Sequence, residues 1–255
     1  MGNGFIVNHN KIEYNMELKN INVIVTGGTR GIGRAIVESL INEGANVIIL
    51  ARTKSDIEKV EQDIQSRGNI FGIKCDVTSP SDIKKMVSKV KTIFKKIDVL
   101  INNVGVAYIG PVDKMTLSEW NNVINTNLTS VFLCCKEIIP IMKKQHEGCI
   151  INIASNSAKN GAANFSAYCA SKFGELGFSQ SLFHELRPYK IRVVSVCPGG
   201  VDTQLWKKVK NDPKLKPEPE KALKAENVAD VINFILKHDE ILFSEPVFLP
   251  SSLYY

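Results

Sequence analysis

The sequence predicts a doubly wound α/β protein: a single domain with a seven-stranded parallel sheet covered by helices on both faces. Three observations predict it. From residue 21 onward, short continuous apolar runs alternate with longer helical patterns, as expected for strands buried on both faces by the helices between them. The first apolar run leads directly into a glycine-rich turn and then an amphipathic stretch. The 255 residues suit one large α/β domain or two small ones, and no repeat or long linker divides them.

Residues 1–17 are polar and Asn-rich and read as an N-terminal extension, with the domain over 18–255 and Met16 a candidate alternative start. The first strand is expected at 22–26 and the first helix at 31–42. A second strand at 46–50 precedes a helix at 55–67, and a third at 70–75 precedes a helix at 81–95. The fourth strand, 99–102, is followed by a long helical region, 117–145, that is one helix or two. Strands at 149–154 and 192–196 flank a helix at 165–186, and a helix at 228–237 precedes a last strand at 246–249. The Pro- and Lys-rich segment 207–220 reads as a loop rather than a boundary.

An apolar fraction of 44% and a charged fraction of 23% are those of an ordinary globule. The net charge of +6 comes mostly from lysines in helical stretches such as 83–96 and 136–144, with no basic block interleaved with aromatics. That pattern favours a solvated lysine face over a nucleic-acid surface. None of the six cysteines forms a Cys-x-x-Cys pair or a Cys/His ligand set, so they read as buried small hydrophobes in a reducing compartment, with Cys169 the one candidate for reactivity. No run reaches the length of a membrane span, and Phe5-Ile6-Val7 is too short for a signal peptide. A cytoplasmic protein is expected.

The glycine-rich turn reads Thr26-Gly27-Gly28-Thr29-Arg30-Gly31-Ile32-Gly33. Glycines let a backbone turn tightly and approach a pyrophosphate, which the following helix N-terminus attracts. An acid that would bind ribose hydroxyls is missing after the second strand, where Ala51-Arg52 stands instead. Arg52 and Arg30 are each unremarkable as solvated charges. Together with the absent acid they favour a 2′-phosphate, and so NADP(H) over NAD(H).

Ser155 closes an apolar run, and Tyr168 and Lys172 follow thirteen and seventeen residues later. At helical spacing, i and i+4 share a face. An ammonium beside a phenol favours the phenolate, and a phenol tuned this way trades a proton with an alcohol or ketone. Read alone, Tyr168 is an amphipathic-helix tyrosine and Lys172 a surface charge.

With these motifs in this order, the chain from about Leu18 to its C-terminus resembles the classical short-chain dehydrogenase/reductase family. The resemblance implies a Rossmann fold and a catalytic set of Asn127, Ser155, Tyr168 and Lys172. In that set Lys172 binds the nicotinamide ribose, and Asn127, from Asn125-Thr126-Asn127-Leu128, holds a water that links Lys172 to solvent. It also implies cofactor contacts at Gly27, Thr29, Arg30, Gly31, Ile32, Gly33 and Arg52. Asp76 and Val77 are implied at the adenine, Asn103 and Gly105 of Asn102-Asn103-Val104-Gly105 at the adenosine ribose, Tyr168 and Lys172 at the nicotinamide ribose, and Pro198, Gly199, Val201 and Thr203 at the carboxamide end. No metal is expected. The activity implied is hydride transfer between NADP(H) and a small-molecule carbonyl or alcohol, with an acyl thioester, as in 3-oxoacyl-[acyl-carrier-protein] reduction, the first specific alternative. A non-catalytic NADP-binding regulator is the alternative of another class.

The C-terminus departs from the family pattern: the Asp-Gly-Gly common in ketoacyl-reductase-like members is absent, and the chain ends Ser-Ser-Leu-Tyr-Tyr. Trp206, in the expected substrate loop 204–223, is a candidate pocket wall or a surface anchor. Small residues at Ala167, Ala170, Ser171, Gly174 and Gly177 would let another helix approach closely, and at least a homodimer is expected.

Overall fold

In the computed structural model, which describes residues 17–205 and 221–251, strands and helices alternate. The order is β1 (Asn22–Thr26), α1 (Gly31–Asn42), β2 (Asn46–Ala51), α2 (Lys54–Ile64), β3 (Ile70–Lys74), α3 (Pro80–Ile93) and β4 (Val99–Asn102). Then come α4 (Leu117–Ile124), a π turn (Asn125–Thr129), α5 (Ser130–Gln145), β5 (Gly148–Ile153), α6 (Ser166–Leu186), β6 (Ile191–Pro198), α7 (Ala225–Lys237) and β7 (Val247–Phe248). Every strand pairing is parallel, in the order β3-β2-β1-β4-β5-β6-β7. The seven-stranded, doubly wound Rossmann architecture read from the sequence is the one observed.

The two-residue side-chain period of a strand divides the sheet into two cores. Val23, Val25, Val47, Ile49, Val99 and Ile101 point to one face, under α1, α2 and α7. Ile24, Ile48, Leu50, Leu100 and Ile150 point to the other, under α3, α5 and α6. Strand order reverses between β1 and β4, and ligands of doubly wound sheets bind in the crevice at such a reversal, outside the carboxyl ends of the strands.

Most boundaries fall within two residues of the expected ones, and several have identifiable local causes. Pro80 is the first residue of α3 because Ser79 caps it, its Oγ accepting from the Asp82 N–H at 3.3 Å. α2 ends at Ile64, short of the expected 67, in a turn closed by Arg67 N–H donating to Ile64 O at 2.7 Å. α7 begins at Ala225, where Asn227 Oδ1 accepts from the Lys224 N–H at 2.9 Å. β7 is only two residues long, with prolines at 246 and 250 on either side that bring no N–H to a ladder. The 117–145 region is two helices joined by the π turn, with helical backbone throughout.

All six cysteines are buried and free. Burial pushes the thiols of Cys75 and Cys135 up to about 12, which leaves them inert. Cys169 is buried too, its Sγ 3.9 Å from Asn160 O. Among the described residues no helix is long and apolar enough to cross a membrane, and no cluster of His, Cys, Asp or Glu is arranged to hold a metal. The expected extension (its first sixteen residues) and Trp206 with residues 207–220 lie outside the described residues.

Candidate active site

The glycine turn after β1 is fixed by its neighbours. Thr26 is buried, and its Oγ1 accepts from the backbone N–H groups of Asn103 at 2.8 Å and Val104 at 3.2 Å. Asn103 Nδ2 donates back to the carbonyls of Thr26 at 3.0 Å and Gly27 at 3.3 Å. These bonds lock the end of β1 to the end of β4. Gly27 and Gly31 adopt φ of +69° and +54°, which L side chains disfavour. Gly33 has a different reason: a Cβ there would lie 2.2 Å from Gly27 O and 2.5 Å from Asn103 Nδ2. A Val104 methyl sits 3.0 Å from the Cβ position of Gly27, so the valine crowds the turn.

α1 begins here with Arg30 as its N-cap residue, in extended backbone, with no side-chain cap and no acid in the first turn. Its leading N–H groups and positive dipole end therefore face the cleft, the arrangement that attracts a phosphate. Arg30 is exposed at the cleft rim, and Arg52 is exposed just beyond β2. Asp76 sits at the next strand end, close enough to Arg52 to feel its charge. Burial would push its carboxyl up, but hydrogen bonds from Thr78 N at 2.9 Å and Thr78 Oγ1 at 2.7 Å, with help from Arg52, hold it below the usual range. Val77 is buried in the core under α3 instead of lining the cleft.

Ser155 follows β5 in extended backbone and caps a short 3₁₀ turn, its Oγ accepting from Ser157 N at 3.1 Å. Tyr168 and Lys172 rise from the first turns of α6, with Phe165 edge-on to the Tyr168 ring at 6.3 Å. All three residues line one cleft of about 580 Å³, together with Gly27, Arg30, Gly31, Ile32, Asn103 and Gly105. Pro198, Gly199, Val201 and Thr203 close its other side. The Thr203 methyl lies 3.6 Å from where a Gly31 Cβ would stand, so the β6 loop meets the glycine turn across the cleft. Val201 and Leu223 pair as an isolated parallel bridge, and Asp202 N–H donates to Leu223 O at 2.9 Å.

Of the expected site residues, Thr29, Gly33, Arg52, Asp76, Val77 and Asn127 do not line this cleft. Gly33 shapes it from behind, and Asn127 does so from the π turn. The Asn127 side chain is fully buried; Oδ1 accepts from Val106 N at 2.8 Å, and Nδ2 donates to Val106 O at 2.9 Å and Ser171 Oγ at 3.0 Å. One residue more than an α-helix needs lets this amide reach both the β4 loop and α6, a use to which π bulges are often put. Gly174 packs within the chain as well: a Cβ there would meet Leu128 at 2.8 Å, whereas Gly177 faces open space.

Lys172 is 3% exposed, and its Nζ donates to Ile153 O and to Glu175 Oε2, both at 2.7 Å. Burial alone would favour loss of its proton, but Glu175, with contributions from Tyr168 and Cys197, holds the ammonium above its ordinary range. Burial pushes the Glu175 carboxyl up, and the ammonium opposes that. Sequence reasoning missed Glu175. Its signal is the stripe Lys172, Glu175, Ser179, Leu182, Leu186, spaced three and four residues apart on the face of α6 that is buried.

Comparison with known proteins agrees with this geometry. Residues 21–214 match the family model described as short chain dehydrogenase. The chain is 35% identical over 189 residues to the 3-oxoacyl-[acyl-carrier-protein] reductase FabG of Escherichia coli, covering 74% of this chain and 77% of that one. An uncharacterized oxidoreductase of Thermotoga maritima is 36% identical over 197 residues, 76% of this chain and 77% of its own. A metagenomic short-chain oxidoreductase solved in complex with NADP superposes with a TM-score of 0.80 at 31% identity, covering 92% and 99% of the two chains. An alcohol dehydrogenase of the archaeon Thermococcus sibiricus shares the fold at a TM-score of 0.82 and 23% identity, over 91% and 97% of the chains. The chain belongs to the short-chain dehydrogenase family. It is thereby an oxidoreductase of the class that works on alcohol and carbonyl groups with a nicotinamide cofactor.

Proposed function

We propose that the chain is an NADP(H)-dependent oxidoreductase that interconverts a small carbonyl compound and its alcohol. Ser155, Tyr168, Lys172 and Asn127 are its catalytic set. The observation that carries this reading is the cleft itself. Ser155, Tyr168 and Lys172 line it together with Arg30, Gly31 and Ile32 at an uncapped helix N-terminus.

The residues fit a dinucleotide phosphate. The glycine turn is a cradle that a Cβ would fill, and its N–H groups, with Thr29, Gly31 and Ile32, suit a pyrophosphate. Arg30 and Arg52 suit a 2′-phosphate, Asp76, Asn103 and Gly105 an adenosine, and Pro198, Gly199, Val201 and Thr203 a carboxamide. When bound, the nicotinamide supplies the hydride.

The chain's own groups do the rest. The hydroxyls of Ser155 and Tyr168 orient the substrate oxygen, and the phenol donates a proton to it as negative charge develops. The Lys172 ammonium stabilises the phenolate left behind. Asn127 holds the Val106 loop against α6, and a water beside it would return the proton from solvent.

The names of the curated relatives favour a 3-oxoacyl thioester as the more specific substrate. The exposed aromatic rings of Phe132 on α5 and Phe173 on α6, with Gly177 open one turn beyond Phe173, support a homodimer through these helices.

The test is Tyr168→Phe, assayed with NADPH and NADH in parallel against acetoacetyl thioesters, diketones and sugars. Wild type is expected to oxidise NADPH in preference to NADH. The variant is expected to bind NADPH as wild type does and to lose turnover by about 10²–10⁴-fold. Appreciable turnover by the variant would refute the role of the phenol.

A further inference from the structure

We propose that Glu175 is a positioning residue for the site: its buried carboxylate keeps the Lys172 ammonium charged and aimed from α6 toward the end of β5. The proposal deepens, and rests on, the role given to Lys172 above.

Glu175 is 1% exposed and lies one helical turn beyond Lys172, with its Oε2 2.7 Å from Nζ. A carboxylate taken this far from water persists only with a partner. An ammonium has three protons to donate. Ile153 O takes one and Glu175 another, which fixes the lysine between β5 and α6 and leaves the third for the cleft that Lys172 lines.

The fold does not require an acid here. The same stripe of α6 continues with Leu182 and Leu186 packed against the sheet, and an apolar side chain at 175 would extend that seam. Buried ion pairs are weak contributors to stability compared with apolar packing. An acid at this place is better explained by the lysine, since a buried ammonium without a counter-ion loses its proton far below the ordinary lysine range.

The other groups facing the pair do not substitute for Glu175. From α6 itself Tyr168 acts on Lys172, from β6 Cys197 does, and from α5 Cys135 faces Glu175. Burial pushes both thiols up, so neither supplies the counter-charge that the Glu175 carboxylate does.

The experiment uses the full-length apoprotein with ¹³Cε-labelled lysine, and Lys172→Met identifies the Lys172 resonance. In wild type, Lys172 is expected to titrate no lower than an exposed lysine, ~10.4, despite its burial; an earlier titration overturns the proposal. In Glu175→Gln, which keeps the shape and loses the charge, the midpoint is expected to fall by about 1–3 pH units. An unmoved midpoint in the folded variant overturns the proposal. Glu175→Asp is expected to restore part of the shift.

NADPH affinity, followed by fluorescence between pH 7 and 10, should weaken in Glu175→Gln along the lowered midpoint while wild type stays level. A merely structural acid would lower affinity equally at every pH. If wild type binds no NADPH, the cofactor reading fails, while the lysine titration still judges Glu175.

Discussion

Replacing Gly33 by alanine asks the most of the glycine turn. The added methyl would stand 2.2 Å from the Gly27 carbonyl oxygen and 2.5 Å from Asn103 Nδ2, both closer than contact allows. Neither is the free end of a flexible chain, because that amide is bonded to the carbonyls of Thr26 and Gly27. Making room breaks both bonds, at about 1 kcal/mol each, and overpacks the turn at about 1–3 kcal/mol. The better helix propensity of alanine returns roughly 1 kcal/mol. A net loss of about 2–4 kcal/mol follows.

Urea denaturation measures it as a lower midpoint at constant slope, and a nucleotide titration should show NADPH affinity falling with it. Gly161→Ala is the control, since no atom lies within 4 Å of its Cβ position. A Gly33→Ala protein within about 0.5 kcal/mol of wild type, binding NADPH normally, would refute the close-approach argument.

Two further outcomes are expected. Asn127→Ala removes three hydrogen bonds from a buried position and should cost about 3 kcal/mol in denaturation experiments, with turnover lost even where the protein is folded. Asp76→Asn tests a depressed carboxyl: its stabilising effect is present above the unfolded carboxylate value of 3.8 and is lost as pH falls through the lower folded value. The variant should therefore be less stable than wild type at pH 6, and the gap should close as both are titrated toward pH 3. A gap that widens in acid would show the sign to be wrong.

The fold was legible because its strands are short apolar runs with little else to be. Val47 to Leu50 is uniformly apolar and buried, and no alternative element fits between two helical patterns. The glycine turn and the Ser155–Tyr168–Lys172 spacing were legible as chemistry. What was not legible depends on which way a helix face turns. An acid three residues after a lysine reads as a solvated helix pair, and only the position of α6 against the sheet makes Glu175 a buried counter-ion. The small residues of α6 show the same limit. They suggested a partner helix, yet Gly174 makes room for Leu128 and Ser171 bonds Asn127 within the chain, leaving Gly177 open. Val77, expected at the cleft, is core because it lies beyond the end of β3, where the chain turns inward to begin α3.

The π turn has a consequence for how fold and chemistry can be separated. A single inserted residue is absorbed within Asn125–Thr129, so α4 and α5 meet the rest of the molecule as an uninterrupted rod would. A chain shortened by one position there would close into ordinary helix. The amide that joins Val106 to Ser171 would swing away. The surplus residue thus serves the amide that ties the Val106 loop to α6, and the contacts it holds would go with it.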